Sequence, residues 1–291
     1  MRVIQYKILT RILNQIEVPE YIYAFEKGKS IPKMAESHVG KALVISIDLK
    51  DFFTSIKQYH LFALFKHLGF GEVPARTLSE LCTYKSFVPQ GALTSPKLSN
   101  IVTALTFGPT LKKYCDDRGF TMTIYADDVT ISMDTDLKRT EGNGAIEEIL
   151  NTIAYEVSKY GFRINTAKTK IMQNSQRQYV CGVVVNRKLN LQKTERNKLR
   201  AIVYNCIQNG VEAEAVKNKL SASQFFDKTM GRLNWFSQLN PEAGARLKEA
   251  MQSLVVVEQG QPNAEAGAVE AFMSADSQNT HQHSSTVEVP W

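Results

Sequence analysis

The stretch from Thr121 to Met133 reads TMTIYADDVTISM, two short β-branched runs on either side of Ala126-Asp127-Asp128. Runs of this kind favour strands, and a short polar break between them predicts a hairpin with its acids at the bend. Lys41 to Asp48, KALVISID, is a second strand signal that ends on an acid, and its partial alternation sets Ser46 and Asp48 on one strand face. An isolated Asp-Asp pair reads as a plain turn, because acids favour turns. A third aspartate brought close changes that reading: adjacent carboxylates repel one another, so three together call for cations, with magnesium the natural candidate.

Working outward, Ile4, Ile8, Ile12 and Ile16 recur every four residues among Arg2, Lys7 and Arg11, which predicts an amphipathic opening helix. Tyr59 to Gly69 reads as a helix closed by glycine, and Glu147 to Tyr160 as another. A further hairpin is expected from Tyr179 to Leu191. From Thr194, a candidate N-cap, the period stays helical to about Leu254, with a stop at Gly210 and a new start at Asn240-Pro241-Glu242. Beyond it the chain is rich in Gln, Asn, Ser, Ala and Gly, too poor in large apolar residues to offset its ordering entropy. A loose tail is expected, with a short helix near Ala264 to Met273.

The 291 residues are 43% hydrophobic and 22% charged, a soluble globular composition. The longest apolar candidate, Ala42 to Ile47, ends at Asp48, far short of the roughly 18 residues that span a bilayer, so no membrane role is expected. Cys82, Cys115, Cys181 and Cys206 are widely spaced with no C-x-x-C pair, which argues against a disulfide framework or zinc ribbon and fits a reducing cytoplasm. Met1 to Asn14 lacks a continuous apolar core and cleavage site, so it reads as a helix and not as a secretion signal. The net charge of +6 is uneven: Val255 to Trp291 holds five acids and no Lys or Arg, leaving 35 basic and 24 acidic residues upstream. A basic body of that kind suits a polyanion such as nucleic acid.

Three segments in order carry a more specific message. Asp48 is followed five residues later by Phe53 in DLKDFF, then comes Gln90-Gly91-Ala92-Leu93-Thr94-Ser95-Pro96, then Tyr125-Ala126-Asp127-Asp128. Together they resemble reverse transcriptases. Two further segments narrow the likeness. Ser30-Ile31, Ala35 and His38 resemble the retron NAxxH signature with Met34 in place of asparagine, and Val180-Cys181-Gly182 resembles the VTG signature with cysteine for threonine. The chain therefore resembles bacterial retron reverse transcriptases from about Arg2 to Leu254.

This resemblance implies an α+β, right-hand polymerase fold with an antiparallel palm sheet, reduced fingers and a helical thumb. Fingers and palm would occupy residues 1–192, the thumb 193–254 and a disordered tail 255–291. The sequence starts almost at the first helix, where the family carries an upstream basic segment, so either the gene start is placed late or the fingers are reduced. Two Mg²⁺ ions would be held by Asp48, Asp127 and Asp128, with the Leu49 backbone carbonyl on one of them, for two-metal nucleotidyl transfer.

Phe53 would lie beneath the sugar and reject a 2′-hydroxyl; the other reading of this ring is ordinary core filler. Gln90 and Gly91 would approach the incoming nucleotide, glycine allowing close backbone contact. Lys168 could bring positive charge to the pyrophosphate, with Lys170 competing for that role and a solvated lysine the plainer option. His38 reads equally as a structural histidine. Arg196 and Arg200, one helical turn apart, are candidates to grip RNA phosphates.

The implied partners are a structured noncoding RNA that is both template and primer, deoxynucleotides, the DNA product and an associated effector protein. The product would be a branched RNA-linked single-stranded DNA, msDNA, with a role in antiphage defence. Two alternatives stand beside this: a group II intron or diversity-generating reverse transcriptase, and a catalytically silent RNA-binding scaffold.

Overall fold

The structure, a computed structural model, describes residues 1–135 and 143–257. The tail from 258 onward, including the helix expected at 264–273, lies outside the described residues. The chain divides into two compact units, one of Met1–Asn197 with Trp235–Pro241, the other of Lys198–Asn234 and the chain from Glu242 on. No helix among the described residues is long and apolar enough to cross a membrane.

The first unit is built around an antiparallel sheet. Its central strand β1 (Leu43–Lys50) pairs along one side with β3 (Asp128–Met133), from Leu43 opposite Met133 to Asp48 opposite Asp128. β3 pairs in turn with β2 (Thr121–Tyr125), giving the expected hairpin. On its other side β1 takes two short strands in succession, β5 (Lys170–Gln173) against its first half and β4 (Arg163–Ile164) at its end. Beyond β2, Tyr21 and Tyr23 exchange backbone hydrogen bonds with Ile124, so residues 21–23 border that edge.

The period-2 alternation of β1 explains its double burial. Leu43, Ile45, Ile47 and Leu49 leave one face and sit in the main core, each 0–1% exposed. Each such buried aliphatic chain is worth about 1.5–3 kcal/mol. Val44, Ser46 and Asp48 leave the opposite face, where Val44 joins a second cluster with Met34, Ala35, Met172, Val180, Val183 and Leu239. This second face changes from apolar to carboxylate within four residues.

Around the sheet run α1 (Arg2–Arg11), α2 (Ile31–Glu36), α3 (Phe52–Ser55), α4 (Gln58–His67), α5 (Glu72–Leu81), α6 (Ser95–Leu105), α7 (Phe107–Asp116) and α8 (Asn143–Ser158). The opening helix is shorter than its four-residue repeat suggests. It ends at Arg11, and a 3₁₀ turn over Leu13–Gln15 buries Leu13 completely. The hairpin expected at 179–191 is reduced to β6 (Tyr179–Val180) and β7 (Val183–Val184), extended by one bridge from Val184 to Asn190.

α9 (Lys193–Lys217) starts one residue before the expected cap, so Thr194 lies inside it, and Gly210, at φ 82° and ψ 157°, breaks the helix as anticipated. α10 (Ala222–Leu239) and α11 (Pro241–Val257) follow, the latter with proline at its first position. The described part of the second unit is helical, burying Leu199, Val203 and Cys206 at helical spacing, with Phe225, Leu247 and Met251.

Candidate active site

Strand register creates the site. Asp48 and Asp128 are direct partners across β1 and β3, so both side chains leave the same face of the sheet. Ser46 and Thr130, two residues back along each strand, are partners on that face too, and their hydroxyls donate to Asp128 Oδ1 at 3.2 and 3.3 Å. β2 and β3 join through Ala126 and Asp127, with Ala126 at φ 54°, a region that residues with a Cβ seldom adopt. The Asp127 carbonyl accepts from the Leu49 amide at 2.8 Å, which fastens the bend to the end of β1. The Asp127 side chain is exposed there.

These carboxylates act on one another. Burial pushes the Asp128 carboxyl above its ordinary value, repulsion from Asp127 and Asp48 adds to the rise, and the Ser46 and Thr130 hydroxyls oppose it. Lys168 Nζ stands 3.0 Å from Asp48 Oδ1, and that hydrogen bond and charge raise the lysine in turn. The Cys181 thiol lies 3.9 Å from Asp128 Oδ2 and donates to it. Burial first, then the charge of Asp128, pushes that thiol up to about 12, so it stays protonated at neutral pH.

The donor set of Asp48, Asp127 and Asp128 is entirely hard oxygen, the chemistry that suits Mg²⁺ or Ca²⁺. Among the described residues no group of three or more His, Cys, Asp or Glu is drawn together as a preformed metal cage. Leu49 has a buried hydrocarbon side chain, so its backbone carbonyl is the group it could offer a cation.

The other sequence candidates lie on several elements. Asp51, at φ 51°, turns the chain from β1 into α3, where Phe52 is buried and Phe53 half-buried. Gln90 and Gly91 are exposed in the loop before α6; Gly91 has φ 88°, and the Ser95 hydroxyl closes the loop on the Pro89 carbonyl at 2.6 Å. Lys170 belongs to β5, with its ammonium 4.9 Å from the Tyr179 ring centre. His38 is fully buried, its ring nitrogens each 2.7 Å from the hydroxyls of Ser132 and Thr123, a structural histidine. Arg196 belongs to the first unit and Arg200 to the second, both on α9.

Three features escaped the sequence reading: the Cys181 contact, the ring of Phe25, and a buried Glu26, Lys97 and Asn100 cluster. Cys181 had left a signal as the altered residue of a signature, and Lys97 and Asn100 as the continuation of the Gln90 to Pro96 segment.

Residues 1–185 match the family described as reverse transcriptase (RNA-dependent DNA polymerase). The chain belongs to the reverse transcriptase family. Among curated relatives, this reverse transcriptase is 28% identical over 248 residues to the retron Ec86 reverse transcriptase of Escherichia coli, covering 84% of the chain and 75% of the relative. It is 32% identical over 265 residues to the retron Mx65 enzyme of Myxococcus xanthus, covering 85% and 58%. The retron Se72 enzyme of Salmonella heidelberg is 27% identical over 261 residues, with 87% and 66% covered. The chain thus spans three quarters or less of the length of these relatives.

A telomerase from Candida albicans, solved in complex with a fragment of telomeric RNA, shares the fold at a TM-score of 0.50 and 11% identity. The match covers 94% of this chain and 58% of that one. The α+β class with an antiparallel palm sheet, and the likeness to retron enzymes, both stand.

Proposed function

We propose that this protein is the RNA-directed DNA polymerase of a retron, with Asp48, Asp127 and Asp128 as its catalytic, metal-binding carboxylates. The observation that carries the reading is the register: Asp48 faces Asp128 across paired strands, with Asp127 at the adjoining bend, in a chain of the reverse transcriptase family. Two magnesium ions bound there would supply activation of the primer hydroxyl and neutralisation of charge on the departing pyrophosphate.

The chain's own residues do the rest. Asp48 and Asp128 hold their orientation through the strand ladder, and the hydroxyls of Ser46 and Thr130 fix the Asp128 rotamer. The Leu49 carbonyl is the backbone donor at the same end of β1. In this reading Lys168, already drawn to Asp48, brings positive charge to the departing pyrophosphate. Phe53 shapes the sugar subsite, and Gln90 and Gly91 offer an exposed backbone edge to the base and phosphates. In this reading residues 1–192 are fingers and palm, 193–254 the thumb that meets RNA through Arg196 and Arg200, and 255–291 a tail.

The substrate is a structured noncoding RNA that templates and primes synthesis, the product is msDNA, and the cellular role is antiphage defence with an effector protein. Four free cysteines agree with a cytoplasmic setting. Primer extension with purified protein, an RNA template, deoxynucleotides and Mg²⁺ tests the reading. Asp127→Asn and Asp128→Asn are expected to lower synthesis by at least about 100-fold, the scale of losing a catalytic electrostatic group. RNA binding in a shift assay should stay nearly intact. Full synthesis by both variants would remove the carboxylates from the mechanism.

A further inference from the structure

Phe25 holds φ at 60° and is 51% exposed. A bulky residue in the left-handed region is strained, and such strain persists only where neighbours over-determine the backbone. Here they do. On the N-terminal side Tyr21 and Tyr23 are hydrogen-bonded to Ile124, and Asn100 Nδ2 donates to the Ala24 carbonyl at 2.6 Å. On the C-terminal side Glu26 is gripped by Lys97 Nζ at 2.9 Å and by Asn100 Nδ2 at 2.9 Å. That pair is largely buried, with side chains 11% and 15% exposed. Lys29 Nζ draws in the carbonyls of Pro19 and Ile22 at 2.8 and 2.6 Å.

This framework holds an aromatic ring in solvent, where the backbone alone would favour glycine. The ring's contacts explain it. Phe25 lies 6.4 Å from Phe53 and 6.4 Å from Tyr125, centre to centre, distances typical of paired aromatics. Phe53 also meets Phe52 at 5.5 Å, edge-on, and Phe52 rests on the buried Phe162 at 5.8 Å. Phe53 therefore has two aromatic neighbours, the stack that begins at Phe52 and the ring of Phe25. Lys97 and Asn100 sit on α6, directly after the Gln90-Gly91 loop, so the same helix that closes that loop also sets Phe25.

We propose that Phe25 is a positioning residue for sugar selection: its ring braces Phe53 so that the latter cannot yield to a 2′-hydroxyl. The proposal rests on the reading of Phe53 as the ring beneath the nucleotide sugar. Without Phe25, Phe53 keeps its aromatic neighbour at 5.5 Å and loses the one at 6.4 Å, and the ring is freer to yield.

The experiment measures kcat/KM for deoxynucleotide and ribonucleotide insertion in the wild type, Phe25→Gly, Phe25→Asn, Phe25→Tyr, Phe53→Val and the double variant Phe25→Gly/Phe53→Val. Gly and Asn both tolerate positive φ, so two ring-deleted variants keep the fold, which thermal melting verifies. The discrimination ratio is expected to fall about tenfold in Phe25→Gly and Phe25→Asn, chiefly through ribonucleotide KM, an effect of the size that modest repacking of a subsite produces. Phe25→Tyr should retain it.

Because Phe25 acts through Phe53, the double variant should match Phe53→Val alone. An unchanged ratio in both ring-deleted variants, with a fall in Phe53→Val, overturns the role of Phe25 and leaves Phe53 as the gate. An unchanged ratio in Phe53→Val removes the gate itself, and the brace with it. Additive losses in the double variant also overturn the proposal, since Phe25 would then act by a contact of its own.

Discussion

Asp128 answers to two opposed demands. Its position opposite Asp48 and next to Asp127 concentrates negative charge, and its partial burial withdraws the water that would screen it. Two hydroxyls and a thiol donate to its oxygens and only partly offset this. A carboxylate whose pKa is raised on folding costs stability at neutral pH, the pattern of sites where stability is traded for function.

The expected outcome is that Asp128→Asn, the same change expected to lower synthesis, raises the melting temperature in chelator by about 1–2 °C, the shift that about 1 kcal/mol gives a protein of this size. Differential scanning calorimetry decides it. A variant that melts lower than the wild type would mean that the carboxylate is held by more favourable interactions than the two hydroxyls and the thiol provide.

At the scale of elements, His38 ties three segments together. It follows α2, and its ring spans the hydroxyl of Ser132 on β3 and that of Thr123 on β2. Each hydroxyl both donates and accepts, so a neutral ring satisfies one of each. Burial pushes the imidazole from 6.5 down to about 4, with the charge of Lys41 acting in the same direction. The folded pKa is below the unfolded one, so the unfolded chain binds more protons between these values. Stability is then complete above about pH 6.5 and falls as pH drops toward 4, by on the order of 3 kcal/mol. Urea midpoints measured from pH 4 to 7 should show this slope in the wild type and a shallower one in His38→Gln, other titrations being common to both. Parallel slopes would remove His38 as the cause.

This histidine also shows what was legible in the chain. The β-branched runs at 43–47 and 121–133 announced their strands because alternation is local, and so did the break at Gly210. The pairing of Asp48 with Asp128 came only as an implication of resemblance, since register is fixed by contacts 80 residues apart. The Ile4 to Ile16 repeat overstated α1 because a 3₁₀ turn continues much the same spacing. Phe25 was invisible for a stricter reason: its backbone conformation is imposed by Lys97 and Asn100, more than 70 residues away, and no local pattern encodes it.

Over the whole molecule, basic residues dominate the first 254 positions while the acids of the last 37 stand without a Lys or Arg among them. Long-range attraction to a polyanion is thus a property of the first 254 residues, and the acids of the last 37 oppose it. Within that general field, α9 concentrates Lys193, Arg196, Lys198 and Arg200 in two turns. The boundary between the two units falls at Asn197, so Arg196 and Arg200 belong to different units while sharing one helix. Arg196 is only partly exposed, with its Nε buried and lacking an acceptor among the described residues, which leaves the outer guanidinium nitrogens as its route to a phosphate.

If these two arginines grip successive phosphates, Arg196→Ala with Arg200→Ala weakens RNA binding and flattens its salt dependence. The change is up to about two units of log–log slope at roughly 0.7–0.9 per contact. Affinities across a salt series for wild type and double variant give the slope directly. Weaker binding at an unchanged slope would assign the arginines to holding α9 in shape, and with both unchanged the recognition surface would have to lie elsewhere on the basic body.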